Sequence, residues 1–199
     1  MTQCPIECHC HRTAGTSKGV VMRKILVLAC IMLLLVPAIV LVGCGGGDTE
    51  QAGKYVKQGD QLANERGSKN TELLNAWRTV RQATDAAAKA TAWKQAESIY
   101  SEVQALVQKE KAEYAKIKGL KGVEDYAKYA ELKIQELNAF DQMLKATNDF
   151  LQNLNNNGFG SQQELEAANQ KYQAESQKLQ EENEQAKKEA EQLKKDKNL

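Results

Sequence analysis

Residues 123–155 read VEDYAKYAELKIQELNAFDQMLKATNDFLQNLN, and the spacing of their apolar side chains decides the fold. Tyr126, Ala130, Leu137, Phe140, Leu144, Thr147, Leu151 and Leu154 recur at steps of three, four or seven, and Tyr129, Ile134 and Phe150 widen the stripe. A helix of 3.6 residues per turn gathers such positions on one face, whereas a strand would alternate every second residue. This is the most apolar face beyond residue 44, so it is expected to form the centre of the core.

Upstream, the chain from Asp48 to Lys118 is rich in Ala, Gln, Glu, Lys and Leu, strong helix formers, and has no proline. Tyr55, Val56, Leu62 and Ala63 begin a stripe that Leu73, Leu74, Trp77 and Val80 take up. Thr84, Ala87 and Thr91 lead on to Ala92, Ala96, Ile99, Val103 and Leu106, with Tyr114 and Ile117 beyond. Gly67-Ser68-Lys69-Asn70 is a weak break, a kink or a short turn. The first clear turn is Gly119-Leu120-Lys121-Gly122, where Gly119 suits a helix C-cap. Thr71 to Lys118 therefore reads as one helix, ~70 Å long at 1.5 Å per residue. The segment from about Thr49 to Arg66 continues that helix or folds beside it.

Downstream, Asn155-Asn156-Asn157-Gly158-Phe159-Gly160 is a second turn, and Ser161-Gln162-Gln163-Glu164 is a capping box that opens a helix. That helix carries Leu165, Tyr172, Leu179, Ala186 and Leu193 at intervals of seven, but Glu175, Glu182 and Glu189 occupy its other seam. A coiled coil needs both seams apolar, so this helix is expected to pack near its start and lie mostly in solvent toward Leu199. Short turns between long helices imply antiparallel neighbours. The expectation is an all-α, elongated antiparallel bundle of about three long, coiled-coil-like helices over residues 50–199. Trp77, Trp93 and the tyrosines, at helical spacing, read as core or core edge ahead of a ligand-stacking set. Phe159, between glycines, reads as folding back onto the bundle end.

The chain before this body has a different character. Arg23 and Lys24 precede Ile25 to Val42, eighteen residues without a charge, and Leu41-Val42-Gly43-Cys44 then leads into Gly45-Gly46-Gly47. A positive n-region and an apolar h-region are the pattern of a secretory signal. The four residues Leu41-Val42-Gly43-Cys44 resemble the lipobox of bacterial lipoproteins. In that family the cysteine thiol is lipidated on the outer face of the membrane, and a peptidase cuts just before it. The resemblance implies lipidation at Cys44, cleavage between Gly43 and Cys44, and a mature chain that begins at Cys44. An uncleaved transmembrane helix is the alternative, because eighteen apolar residues reach the lower limit for a span. Pro37 and the glycine-rich flank, which lacks the usual Lys or Arg, argue against it. The expected organisation is 1–21 a removed or non-native extension, 22–43 signal peptide, 44–49 lipidated cysteine and tether, and 50–199 bundle. Met22-Arg23-Lys24 is a natural signal-peptide start. In the tether, Asp48 or Thr49 is placed to cap the first helix.

Cys4, Cys8, His9, Cys10 and His11 have the softness and close spacing of zinc ligands, but structural sites pair two such clusters and the chain has one. The cluster also lies upstream of the expected cut. From Cys44 onward the chain has no His, no Pro and no second Cys. There the 23 basic residues face 25 acidic ones, a net charge of −2, interspersed as on solvated helix faces. This is no polycation for nucleic acid. The commonest general base is missing, as are a thiol nucleophile and a phosphate-binding glycine loop. Carboxylate neighbours such as Glu124-Asp125 and Glu181-Glu182 point to different sides of a helix.

These features lead to an expected function: a non-enzymatic, membrane-anchored envelope lipoprotein, serving as a helical scaffold, spacer or protein- or cell-wall-binding module. No catalytic, cofactor or metal residues are assigned. The expected partners are the membrane, through lipid on Cys44, and an envelope protein or the cell wall. The expected place is the extracytoplasmic face of a bacterial membrane; Gly45 after the cysteine would permit transfer to an outer membrane where the cell has one. A substrate-binding lipoprotein serving a transporter is the alternative, but such proteins usually build α/β lobes and no strand pattern stands out.

Overall fold

A computed structural model describes residues 47–156 and 158–199. The lipobox residues, Gly43 and Cys44 among them, and the Cys4–His11 cluster lie outside the described residues. Among those described there are four α-helices and no strand: α1 Gly47–Gln82, α2 Ala86–Ala115, α3 Glu124–Asn155 and α4 Gln162–Lys197. A 3-10 turn, Lys116–Gly119, follows α2 directly.

The all-α antiparallel bundle expected from the apolar spacing is the architecture found, with the helices divided differently. Gly67 does not break the chain, and α1 runs through it for 36 residues. A mid-helix glycine costs about 1 kcal/mol against alanine. The burial of Ala52, Val56 and Gly59 on one side and Leu73, Ala76, Trp77 and Val80 on the other offsets that. The expected single helix over Thr71–Lys118 is instead divided at residues 83–85. Asp85 takes an extended conformation, and its carboxylate accepts from the Ala88 backbone N–H at 2.8 Å. An aspartate N-cap satisfies a free N–H of the first turn and so favours a new helix start here, worth about 0.5–2 kcal/mol. The first and second helices therefore fold back as a hairpin, and the bundle has four members.

Three smaller expectations are corrected. Gly47 is already helical, so Asp48 and Thr49 lie inside α1 and do not cap it. The Asp48 carboxylate instead accepts from the Lys121 backbone N–H at 2.9 Å, tying the start of α1 to the turn before α3. The left-handed residue of that turn is Gly122 (φ +68°), while Gly119 closes the 3-10 turn. The α4 expectation is reversed: its buried residues are Leu179, Ala186 and Ala190, from the midpoint onward. Alanines at 186 and 190 let the helix approach α3 closely, and small size here matters more than a full apolar seam. Half of the expected capping box forms: Ser161 Oγ accepts from Glu164 N at 3.2 Å, while the Glu164 carboxylate reaches one residue further back and accepts from Gly160 N at 2.8 Å.

The helices pair as two hairpins, α1 with α2 and α3 with α4, and α3 joins them by packing on α2 and α1. The core runs along α3 as expected, through Tyr129, Ala130, Leu137, Phe140 and Leu144. It meets Val103 and Val107 of α2 and Val56 and Leu73 of α1.

Candidate functional site

Three groups of side chains stand out from this framework. The first is a charged cluster inside it. Arg66 of α1 donates from Nε to Glu110 Oε2 of α2 at 2.7 Å, and its Nη2 lies 3.9 Å from Glu136 Oε1 of α3. Lys133 reaches the other oxygen of Glu136. The guanidinium sits 4.6 Å over the ring of Phe140. Glu110 is fully buried and its Oε1 has no hydrogen-bond partner. Burial pushes its carboxyl above the usual range, against the pull of Arg66. Two cations and two carboxylates balance, and three helices are fixed in register by them. A perturbed carboxyl in a cleft would be a candidate acid. This one is buried inside the bundle, with Arg66 on one of its oxygens.

The second group centres on Asp60, whose Oδ1 accepts from Tyr114 at 3.0 Å and from Tyr129 at 3.2 Å. Lys194 of α4 pairs with its other oxygen and lies 5.6 Å over the Tyr129 ring. Burial, with Asp60 next in effect, holds both phenols well above the usual tyrosine range. They serve as fixed donors at neutral pH. Gly59 makes the arrangement possible: a Cβ there would lie 2.5 Å from the Tyr114 ring. Through Lys194, the end of α4 is held to α1.

The third group lies at the other end of α1 and is open. A groove of about 680 Å³ runs between α1, α3 and the start of α4. Leu74 and Trp77 of α1, Phe150, Leu151 and Leu154 of α3 and Leu165 of α4 give it apolar walls. Tyr172 stacks on Phe150 at 4.6 Å and 5°, and Phe159 packs against Phe150 at a tilt, 6.3 Å between ring centres. Phe159 thus folds back onto the bundle end, as expected. A smaller space of about 380 Å³ adjoins it between Trp77, Val80 and Trp93. Leu74 and Leu154, 51% and 37% exposed, are the large apolar side chains most open to solvent among the described residues, and both belong to this groove. Arg78, Arg81 and Lys89 stand around it.

Both tryptophans are buried, at 5% and 8% exposure, as their helical spacing implied. Trp93 donates to Glu97 at 2.9 Å, whereas the Trp77 indole N–H has no acceptor among the described residues. Sequence reasoning missed the groove because the turn at 83–85 was not recognised. Without it, Trp77 and Trp93 belong to one continuous helix and do not face each other across a hairpin. The Thr84-Asp85 pair ahead of Ala86-Ala87-Ala88 was the available signal. Glu124 and the pair Glu181-Glu182 are solvent-exposed, and Asp125 pairs with Lys197 at 3.1 Å, so the two sets of neighbouring carboxylates do not converge. Among the described residues no cluster of three potential metal ligands occurs, and no helix is long and apolar enough to cross a membrane. No protein-family description, curated protein or solved structure matches this chain.

Proposed function

We propose that this chain is a bacterial lipoprotein, anchored through lipid on Cys44, whose helical body works by presenting surfaces and not by catalysis. The observation that carries the reading is Leu41-Val42-Gly43-Cys44 at the end of an uncharged run that follows Arg23-Lys24. One acyl chain binds a membrane only marginally, and stable anchoring takes two lipid signals. A cysteine carrying a diacylglyceryl group, with or without a third chain, meets that requirement. The body fits such an anchor. α1 begins three residues after Cys44 and continues for 36 residues, about 54 Å at 1.5 Å per residue. Its far end would stand well clear of the headgroups, as a scaffold, spacer or protein- or cell-wall-binding module requires. The absence of His and Cys beyond Cys44 supports a non-enzymatic role.

The test is Cys44→Ala expressed in a bacterial host. Palmitate labelling is expected to disappear and the normal cut to be blocked. Labelling and processing that persist in the variant would reject the anchor. Recovery of the unsubstituted chain in the cytosolic fraction would reject the extracytoplasmic placement. Crosslinking in intact envelopes is expected to join the body to an envelope protein or to cell-wall material; a body that crosslinks to neither argues against the scaffold.

A further inference from the structure

We propose that the groove between α1, α3 and the start of α4 binds an anionic amphiphile, a single acyl chain carrying a carboxylate or phosphate head. This goes beyond the anchor and does not depend on it. The volume falls within the roughly 300–1,000 Å³ of small-molecule sites, which are mostly apolar with a few polar groups that orient the ligand. The walls are of that kind: Leu74, Trp77, Phe150, Leu151, Leu154 and Leu165. Leu74 and Leu154, the most exposed large apolar side chains among the described residues, both face this space.

The charge around the groove selects the head. Arg78 donates only to the neutral Asn75 side chain, at 3.2 Å, and neither Arg81 nor Lys89 forms an ion pair among the described residues. Unpaired lysines also occur elsewhere on the body, but here two arginines and a lysine gather beside one apolar space. Glu166 is the one carboxylate of the lining, and it accepts from Gln162 at 2.9 Å. Three cations against one carboxylate favour an anion, and two guanidinium groups suit the forked geometry of a carboxylate or phosphate. The Trp77 side chain, 95% buried, forms part of the apolar wall, and its indole N–H has no acceptor among the described residues.

Geometry favours an amphiphile over a partner helix. Along α1 the lining runs from Leu74 to Arg81, and along α3 from Thr147 to Leu154, about 10 Å in each case. The Phe159–Phe150 contact flanks the loop end. A lining this short would seat only about two turns of a partner helix, so the small, mostly apolar space suits a single acyl chain.

Trp77 and Trp93 are the only tryptophans in the chain and both line this space, so their fluorescence reads occupancy directly. The full chain in zwitterionic nanodiscs would be titrated with sodium decanoate, decyl phosphate, decyltrimethylammonium and an acidic amphipathic peptide. A saturable change in emission with decanoate or decyl phosphate is expected; the tighter of the two identifies a free carboxylate or a phosphate head. Arg78→Gln with Arg81→Gln should weaken binding by about tenfold or more, the loss of a charge-assisted contact. Leu74→Gln, at an exposed position that folding does not need, should weaken it as well, and Lys57→Gln near the start of α1 should leave it unchanged. The proposal is overturned if neither anion gives a saturable change, or if decyltrimethylammonium binds as tightly. It is also overturned if the arginine pair is without effect, or if only the peptide binds, which would make the groove a protein-docking site.

Discussion

Gly59 and Gly67 occupy the same helix eight residues apart, and the same substitution should act on them in opposite directions. Nothing lies within 4 Å of a Cβ built at Gly67, so Gly67→Ala should stabilise the body by about 0.8–1.0 kcal/mol, the helix-propensity difference. At Gly59 the Cβ would strike the Tyr114 ring at 2.5 Å, and that ring is held by its bond to Asp60. Gly59→Ala should therefore lower the melting temperature. Thermal unfolding of the two variants side by side checks this; equal signs would contradict the packing of α1 on α2. At Arg66 a larger loss is expected. Arg66→Ala leaves Glu110 charged and buried, a change that typically costs about 3–5 kcal/mol. The pH dependence follows from Glu110. Its folded-state pKa is raised, so the folded body takes up a proton before the unfolded chain does. Relative to Glu110→Gln, the unsubstituted chain should gain stability as pH falls from neutral into the upper carboxylate range, and lose that gain as pH rises through the raised pKa. Melting curves for both chains across that window would show it, and parallel curves would contradict it. None of this was legible at the residue level. Glu110 in α2, and Lys133 and Glu136 in α3, each read as part of a solvated face, and only the meeting of three helices turns them inward.

Among the helices, the long apolar stripe of α3 was legible because it repeats over nine turns and faces neighbours on several sides. The division between α1 and α2 was not, because glycine is a conspicuous breaker and an aspartate cap is not. Asp85→Ala should cost about 0.5–2 kcal/mol by removing the bond to Ala88 N. A stability within a few tenths of the unsubstituted chain would show that the turn at 83–85 needs no cap. α4 was misread for a related reason. Its heptads look thin because alanines replace leucines, yet Ala190 is only 1% exposed and Ala186 6%. Ala190→Leu should overpack the interface with α3 by about 1–3 kcal/mol. Truncation of Leu165, half-buried at the groove, should cost less than truncation of Phe140 or Leu144, for which about 2–5 kcal/mol is expected. Denaturant unfolding of the set would rank them, and a Leu165→Ala loss as large as that of Leu144→Ala would return the packing of α4 to its start.

At the scale of the whole molecule, the two ends of the body differ in kind. The start of α1 is tied down by polar contacts, Asp48 to the turn before α3 and Asp60 to Tyr114, Tyr129 and Lys194. The other end holds the open apolar groove beside Arg78, Arg81 and Lys89, which form no ion pair among the described residues. A lipid on Cys44 would place the tied end at the membrane and the groove away from it. The fold class was readable from apolar spacing alone, and the expected anchor from four residues and the charge pattern before them. The groove exists only where α1, α3 and α4 converge, and no single stretch of sequence describes it. The measurement that bears most directly on the account is the intact mass of the chain recovered from bacterial membranes, with its N-terminal peptide sequenced. The account predicts that the mature protein begins at Cys44 and carries a diacylglyceryl group, with or without an added acyl chain. A chain that retains residues 25–42, or that begins at an unmodified Cys44, would contradict it.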